Sequence, residues 1–211
     1  GQETMALRAL QAGCQQFRGV ALPWLALAAL LARKGKLDAA VGTLRQAMEE
    51  VPEERDELVR TFFRWRAQAS GAATAAAELR RFAEGRPGDA GLLRTVAELL
   101  DESGQRGHAI ALFRRLVAAG PRDVVALYRL GRLLAKTIAT RDEAGGLLEG
   151  VVELAPQLAP ARLQLAWIYL EQNPRRALDL LQPLSDESPR LWLTRWCALL
   201  VLGRQRTAPP E

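Results

Sequence analysis

The stretch that decides the fold of this chain is residues 24–52, WLALAALLARKGKLDAAVGTLRQAMEEVP. Apolar residues recur at three- and four-residue spacings from Trp24 to Leu31, which is typical of one face of a helix. Gly35 interrupts this pattern, and a second helical pattern follows and stops at Pro52, because proline cannot continue a helix. The stretch therefore predicts two amphipathic helices joined by a short turn.

The same pattern returns along the chain at intervals of 33 to 35 residues. Each predicted second helix carries an alanine, a bulky apolar residue four positions later and a proline twelve positions later. The alanines are Ala40, Ala75, Ala109, Ala144 and Ala177, and the prolines are Pro52, Pro87, Pro121, Pro156 and Pro189. Because a small side chain lets a neighbouring helix approach closely, the pattern indicates a repeated helical hairpin.

The predicted first helices carry a small residue of their own, with a bulky residue three positions later. The residues at this small position are Ala28, Phe62, Ala97, Gly131 and Ala166. Phe62 departs from the pattern, so we expect the second hairpin to pack differently from the others. Glycine marks the turn in the first three hairpins, at Gly35, Gly71 and Gly104.

With these positions the sequence resembles the tetratricopeptide repeat family, over residues 21–203. The resemblance implies an all-α fold, a right-handed α-solenoid of antiparallel helix hairpins. The predicted repeats are residues 21–54, 55–89, 90–123, 124–158 and 159–189. The flanking predictions are a helix of a truncated preceding repeat at 3–17, a terminal helix at 190–203 and a tail at 204–211.

Composition argues against several functional classes. The net charge of +5 is spread among interleaved acidic and basic residues, so we expect no nucleic-acid partner, and no apolar run is long enough to span a membrane. The chain has one histidine, His108, and no metal-ligand cluster or phosphate-binding loop, which predicts a protein that is not an enzyme and holds no cofactor or metal. No signal segment is visible, and the cytoplasm and the periplasm both stay open.

In tetratricopeptide arrays the first helices line a concave surface on which ligands bind, and the resemblance implies the same use here. The predicted groove residues are Leu25, Val59, Phe63, Arg66, Arg94, Glu98, Asp101, Tyr128, Arg132, Leu163, Trp167 and Leu170. They are apolar or aromatic at both ends of the series and charged in the middle. We expect them to suit an extended peptide or an amphipathic helix with apolar anchors.

The terminal helix carries apolar residues around its whole circumference, so one face packs on the fifth repeat and the other is left for a contact. The predicted contact residues are Trp192, Trp196, Leu199 and Leu200. A partner protein, a second copy or a further part of the parent protein could cover them. The alternative is that the tail folds back over this face.

The function that fits these features is a non-catalytic scaffold for a protein or peptide partner. The excess of arginine over lysine indicates a GC-rich bacterial genome, and bacterial proteins of this kind serve as adaptors in pilus, secretion or exopolysaccharide machinery. One alternative is a carbohydrate-binding or regulatory region of a larger enzyme. Another is an RNA-binding helical-repeat protein, which the scarcity of polar residues at the base-reading positions disfavours.

Overall fold

A computed structural model describes residues 2–184 and 189–207 of the chain. Within this part the chain forms twelve α-helices and one short 3-10 helix, Ile138–Thr140. The α-helices are α1 (Gln2–Gln16), α2 (Ala21–Arg33), α3 (Leu37–Glu50), α4 (Arg55–Ser70), α5 (Ala72–Glu84), α6 (Ala90–Glu102), α7 (Arg106–Ala119), α8 (Val124–Leu134), α9 (Arg141–Leu154), α10 (Ala159–Tyr169), α11 (Pro174–Leu181) and α12 (Pro189–Thr207).

The chain divides into two compact units, residues 1–112 and residues 113–211. In the first unit, each helix from α1 to α4 packs on the next, and both α4 and α5 also contact α6. In the second unit, α8 packs on α9, α9 on α10 and α10 on α11, and α12 contacts both α10 and α11. The predicted all-α class, with consecutive helices paired as hairpins, is confirmed.

The first three hairpin turns are made by glycines in the left-handed region. Gly35, Gly71 and Gly104 have φ angles of 73°, 87° and 80°, which L side chains rarely adopt. The last two turns use other means. The Thr140 hydroxyl donates to the carbonyl of Leu134 over 2.6 Å, and the Asn173 side chain caps the start of α11.

At the small position of the first helices, the first and second helix of a hairpin come into close contact. In α8, a methyl group added to Gly131 would lie 2.9 Å from Cγ of Leu148 in α9. In α4 the large Phe62 takes this position and is itself buried, as are Ala75 and Ala76 of α5. Phe62 therefore belongs to the core although it departs from the small-residue pattern.

A buried arginine that the sequence pattern does not reveal connects three helices of the first unit. The Arg55 side chain, at the start of α4, donates from Nε to the carbonyl of Met48 over 2.7 Å. It also pairs with the carboxylate of Asp89, which in turn caps α6 by accepting from the backbone N–H of Leu92 over 2.9 Å. A charge removed from water in this way needs such partners.

The terminal helix differs from its prediction at both ends. Pro189 is its first residue rather than the last residue of the fifth repeat, because proline is tolerated in the first turn of a helix. The helix reaches Thr207, so residues 204–207 are helical where a tail is predicted. The rest of the predicted tail, residues 208–211, lies outside the described residues.

Candidate binding surfaces

In the first unit the predicted groove residues have different degrees of exposure. Leu25 and Phe63 are half-buried and present part of their side chains to solvent. Val59 is completely buried, so it belongs to the core and not to a surface. The physical reason is register: with Leu58 and Phe62, which are also buried, Val59 lies on the side of α4 that packs on its neighbours.

Arg66 is occupied by an ion-pair network between helices. Its Nε and Nη2 atoms lie 2.8 Å and 2.6 Å from Oε1 of Glu78 in α5. Arg45 of α3 reaches the other oxygen of the same carboxylate at 2.5 Å. Glu78 thus joins α3, α4 and α5, and a partner that binds Arg66 has to compete with it.

The charged centre of the predicted groove is also paired within the first unit. Glu98 of α6 accepts from Arg60 of α4 over 2.5 Å, and Thr95 donates to Asp56 over 2.7 Å. Two further predicted groove residues, Arg94 and Asp101, are half-buried and take part in interactions of their own. These charges therefore hold first helices together before any ligand is present.

In the second unit, three predicted groove residues, Tyr128, Arg132 and Leu163, are half-buried. Trp167 is 50% exposed and stands out from α10. Leu170 is only 7% exposed and belongs to the core. It nevertheless lines a surface pocket together with Trp167.

This pocket, which we call the Trp167 pocket, has a volume of about 310 Å³ and combines an apolar lining with an ion pair. Arg141 at the start of α9 lies 3.9 Å from Glu171 just beyond α10. The lining residues are Arg141, Trp167, Ile168, Leu170, Glu171, Cys197 and Val201. A cavity of this size, apolar with a few charged groups, is at the lower end of the range for ligand sites and fits one bulky side chain of a partner.

A second pocket, of 330 Å³, lies in the first unit, where the sequence does not predict one. Phe62 and Phe82 form its apolar part, and Arg45 lies 5.9 Å above the Phe62 ring. The Phe82 ring is covered from one side by Arg86 at 3.9 Å. The bulk of its lining comes from α3 and α5, the second helices of two hairpins. The predicted groove residues all lie on first helices, so the prediction did not include this pocket.

The outer face of α12 carries five of the twelve large apolar side chains that are exposed in the described residues. Trp192, Trp196, Leu199 and Leu200 are between 50% and 64% exposed, and Leu193 beside them is 49% exposed. The two indole rings stack, with centroids 5.8 Å apart and planes 5° from parallel. The structure thus places all four predicted contact residues together on one solvent-facing surface.

The opposite face of α12 is the one that packs on the fifth hairpin. Leu191, Thr194 and Ala198 are buried there, and Arg195 donates to the carbonyls of Leu181 and Leu184 over 2.7 Å and 2.8 Å. These bonds satisfy carbonyls at the end of α11. The helix is therefore fixed in one orientation, and its tryptophans are held outward.

The described residues contain no group of three or more His, Cys, Asp or Glu side chains placed to hold a metal ion, and His108 is exposed near the start of α7. Burial raises the pKa of the Cys14 thiol, and burial together with the Glu149 carboxylate raises the pKa of the Tyr169 hydroxyl. None of the helices in this part of the chain combines the length and apolar character that a bilayer crossing requires.

No protein-family model and no curated protein sequence matches this chain. Solved structures do match it. YrrB, described as a TPR protein with an unusual peptide-binding site, is 18% identical, with a TM-score of 0.55 over 94% of this chain and 98% of that one. A tetratricopeptide repeat protein from Parabacteroides merdae is 20% identical, with a TM-score of 0.59 over 98% of this chain and 76% of that one. Yeast Tom70 is 16% identical, with a TM-score of 0.57 over 96% of this chain and 44% of that one.

At these identities the likeness establishes the fold. The chain has the tetratricopeptide repeat fold, and the resemblance drawn from its repeated alanines and prolines is confirmed at that level.

Proposed function

We propose that this chain is a non-catalytic protein-interaction module that binds a peptide or an amphipathic helix through its first helices. The single observation that carries the proposal is Trp167, a half-exposed aromatic side chain at the edge of the Trp167 pocket. Half-exposed aromatic residues beside a pocket are the usual anchors of protein interfaces, because they bury a large area at little entropic cost.

The chemistry of the Trp167 pocket limits the class of ligand that it can bind. Ile168, Leu170 and Val201 supply an apolar lining, while Arg141 and Glu171 carry opposite charges at its edge. Such a site favours a peptide that inserts one leucine-sized or aromatic side chain and has polar groups on either side of it.

The wider setting is also a proposal. The arginine-rich composition is typical of a GC-rich bacterial genome. We propose an adaptor or assembly role in pilus, secretion or exopolysaccharide machinery, because bacterial proteins that resemble this one often have such roles. YrrB is described as having a peptide-binding site, which supports a peptide ligand for a chain of the same fold. The carbohydrate alternative has no observation of comparable weight.

The test is selection of a displayed library of random peptides on the wild-type chain, followed by affinity measurement on variants by fluorescence anisotropy. Trp167→Ala is expected to weaken the selected peptides about tenfold or more, which corresponds to about 1.4 kcal/mol. Trp192→Ala is the matched control, because Trp192 is similarly exposed but lies on the outer face of α12. Peptides that bind Trp167→Ala as tightly as the wild type would contradict the proposal.

A further inference from the structure

The outer face of α12 includes the small position of the first helices, at which Gly131 of α8 meets Leu148 of α9. Counted from the proline that ends the preceding repeat, this position is the tenth following residue, and it is Phe62, Ala97, Gly131 and Ala166 in α4, α6, α8 and α10. All four residues are buried. The same position in α12, ten residues after Pro189, is Leu199, which is 54% exposed, with Trp196 and Leu200 exposed beside it.

Helix α1 has the complementary surface, which is the face of a second helix that packs on a first helix. Fifteen residues before the start of α4, α6, α8 and α10 lie four alanines that are completely buried against their first helices. They are Ala40, Ala75, Ala109 and Ala144. Fifteen residues before α2 lies Ala6, which is exposed, and Leu10 four residues later is only half-buried. Helix α1 therefore has the pattern of a second helix, with the face that binds a first helix turned to solvent.

We infer that two copies of this chain associate head to tail, with α1 of one copy covering the outer face of α12 of the next. The contact continues an interface that the chain already makes between the two helices of each hairpin. This inference deepens the proposed interaction role, on which it rests, by naming a second copy as the occupant of the α12 face. Because the two surfaces are different, the association is open-ended and can add further copies.

The sizes of the side chains support this pairing. Two indole rings on α12 need space opposite them, and α1 offers the small residues Ala6 and Ala9, both exposed. Met5 of α1 and Phe17, directly after the helix, are 68% and 52% exposed and add apolar area on either side of these alanines.

The area is sufficient for a moderate interface. From their exposed fractions, the two tryptophans and the neighbouring leucines of α12 present roughly 400–500 Å² of apolar surface. This is more than half of the ~800 Å² that one partner buries in a standard interface. Flanking residues of both helices supply the remainder, so we expect association in the micromolar range rather than a permanent complex.

The test uses two variants that each block one surface. Trp196→Glu places a charge on the α12 face, and Ala6→Glu places one on the α1 face; both positions are exposed, so both variants should fold. In sedimentation velocity, the wild type is expected to gain mass as its concentration rises, while each variant alone stays monomeric. An equimolar mixture of the two variants is expected to form a heterodimer, because one intact α1 and one intact α12 remain.

Ile138→Glu is the matched control, since Ile138 is 80% exposed and belongs to neither surface; it should associate as the wild type does. A wild type that is monomeric at every concentration would overturn the inference. Dimers of Ala6→Glu alone would overturn it too, because they would show a contact between two α12 helices. Peptide binding by Trp196→Glu separates the two proposals: if binding persists while association never occurs, only the head-to-tail inference fails.

Discussion

Leu148 of α9 lies so close to Gly131 of α8 that a single added methyl group would be 2.9 Å from its Cγ atom. Both residues are completely or almost completely buried, so neither can move into solvent to make room. The fourth hairpin is therefore held at a helix separation that only glycine at position 131 permits.

Gly131→Ala is expected to destabilise the protein although alanine is the better helix former. The gain in helix propensity is about 1 kcal/mol, while overpacking a buried contact costs about 1–3 kcal/mol. We expect the free energy of unfolding to fall by about 1 kcal/mol in urea denaturation followed by circular dichroism. Gly146→Ala in α9 is the control: nothing lies within 4 Å of an added methyl group there, so it should stabilise by about 0.5–1 kcal/mol. Equal effects at both positions would show that the close contact does not determine stability.

Arg55→Ala is expected to lower the free energy of unfolding by roughly 3 kcal/mol, because it leaves the carbonyl of Met48 and the carboxylate of Asp89 without their buried partner. Thermal denaturation monitors this loss. Arg60→Ala removes a more exposed ion pair, with Glu98, and should change stability by about 0.5 kcal/mol or less. A loss at Arg60 as large as that at Arg55 would indicate that burial is not the cause.

The two cysteines are expected to react at different rates with a thiol reagent in the native state. Cys14 is 4% exposed, and burial raises its pKa, so both access and thiolate formation are unfavourable. Cys197 lines the Trp167 pocket and is partly exposed. Native protein should therefore show one fast thiol, which Cys197→Ala removes and Cys14→Ala retains. Two equally fast thiols would contradict the described burial of Cys14.

Tyr169 is expected to ionise only above the ordinary tyrosine pKa of about 10. Burial raises its pKa, and its hydroxyl donates to the Glu149 carboxylate, which favours the protonated form. Because the folded pKa is higher than the unfolded one, this contribution to stability is complete below pH of about 10 and is lost as the pH rises through the folded value.

Absorbance of the phenolate during a pH titration measures this effect. Tyr169→Phe should abolish the late-ionising signal, whereas Tyr128→Phe should retain it. At neutral pH, Tyr169→Phe should also lower the free energy of unfolding by about 1 kcal/mol or somewhat more, because the hydrogen bond to a charged acceptor is lost. A late signal that persists in Tyr169→Phe would assign the raised pKa to another group.

The sequence by itself determined the fold class and the position of each hairpin. The alanines from Ala40 to Ala177 recur at almost constant spacing, and all five are completely buried. The turn glycines also depend on local sequence, because the positive φ at Gly35 follows from the geometry of the turn and not from distant contacts. Such features can be predicted because they depend on residues close together in the chain.

Only the tertiary structure decided which side chains are available to a partner. Val59 and Phe63 lie one helical turn apart in the same predicted groove, yet Val59 is buried and Phe63 is partly exposed. Arg66 is bound by Glu78, and the Trp167 pocket needs residues from three helices. The physical reason is that exposure depends on what packs against a helix from the neighbouring hairpins. On α12 this same dependence leaves Trp192 and Trp196 in solvent, while Leu191 and Ala198 of the same helix are buried against the fifth hairpin.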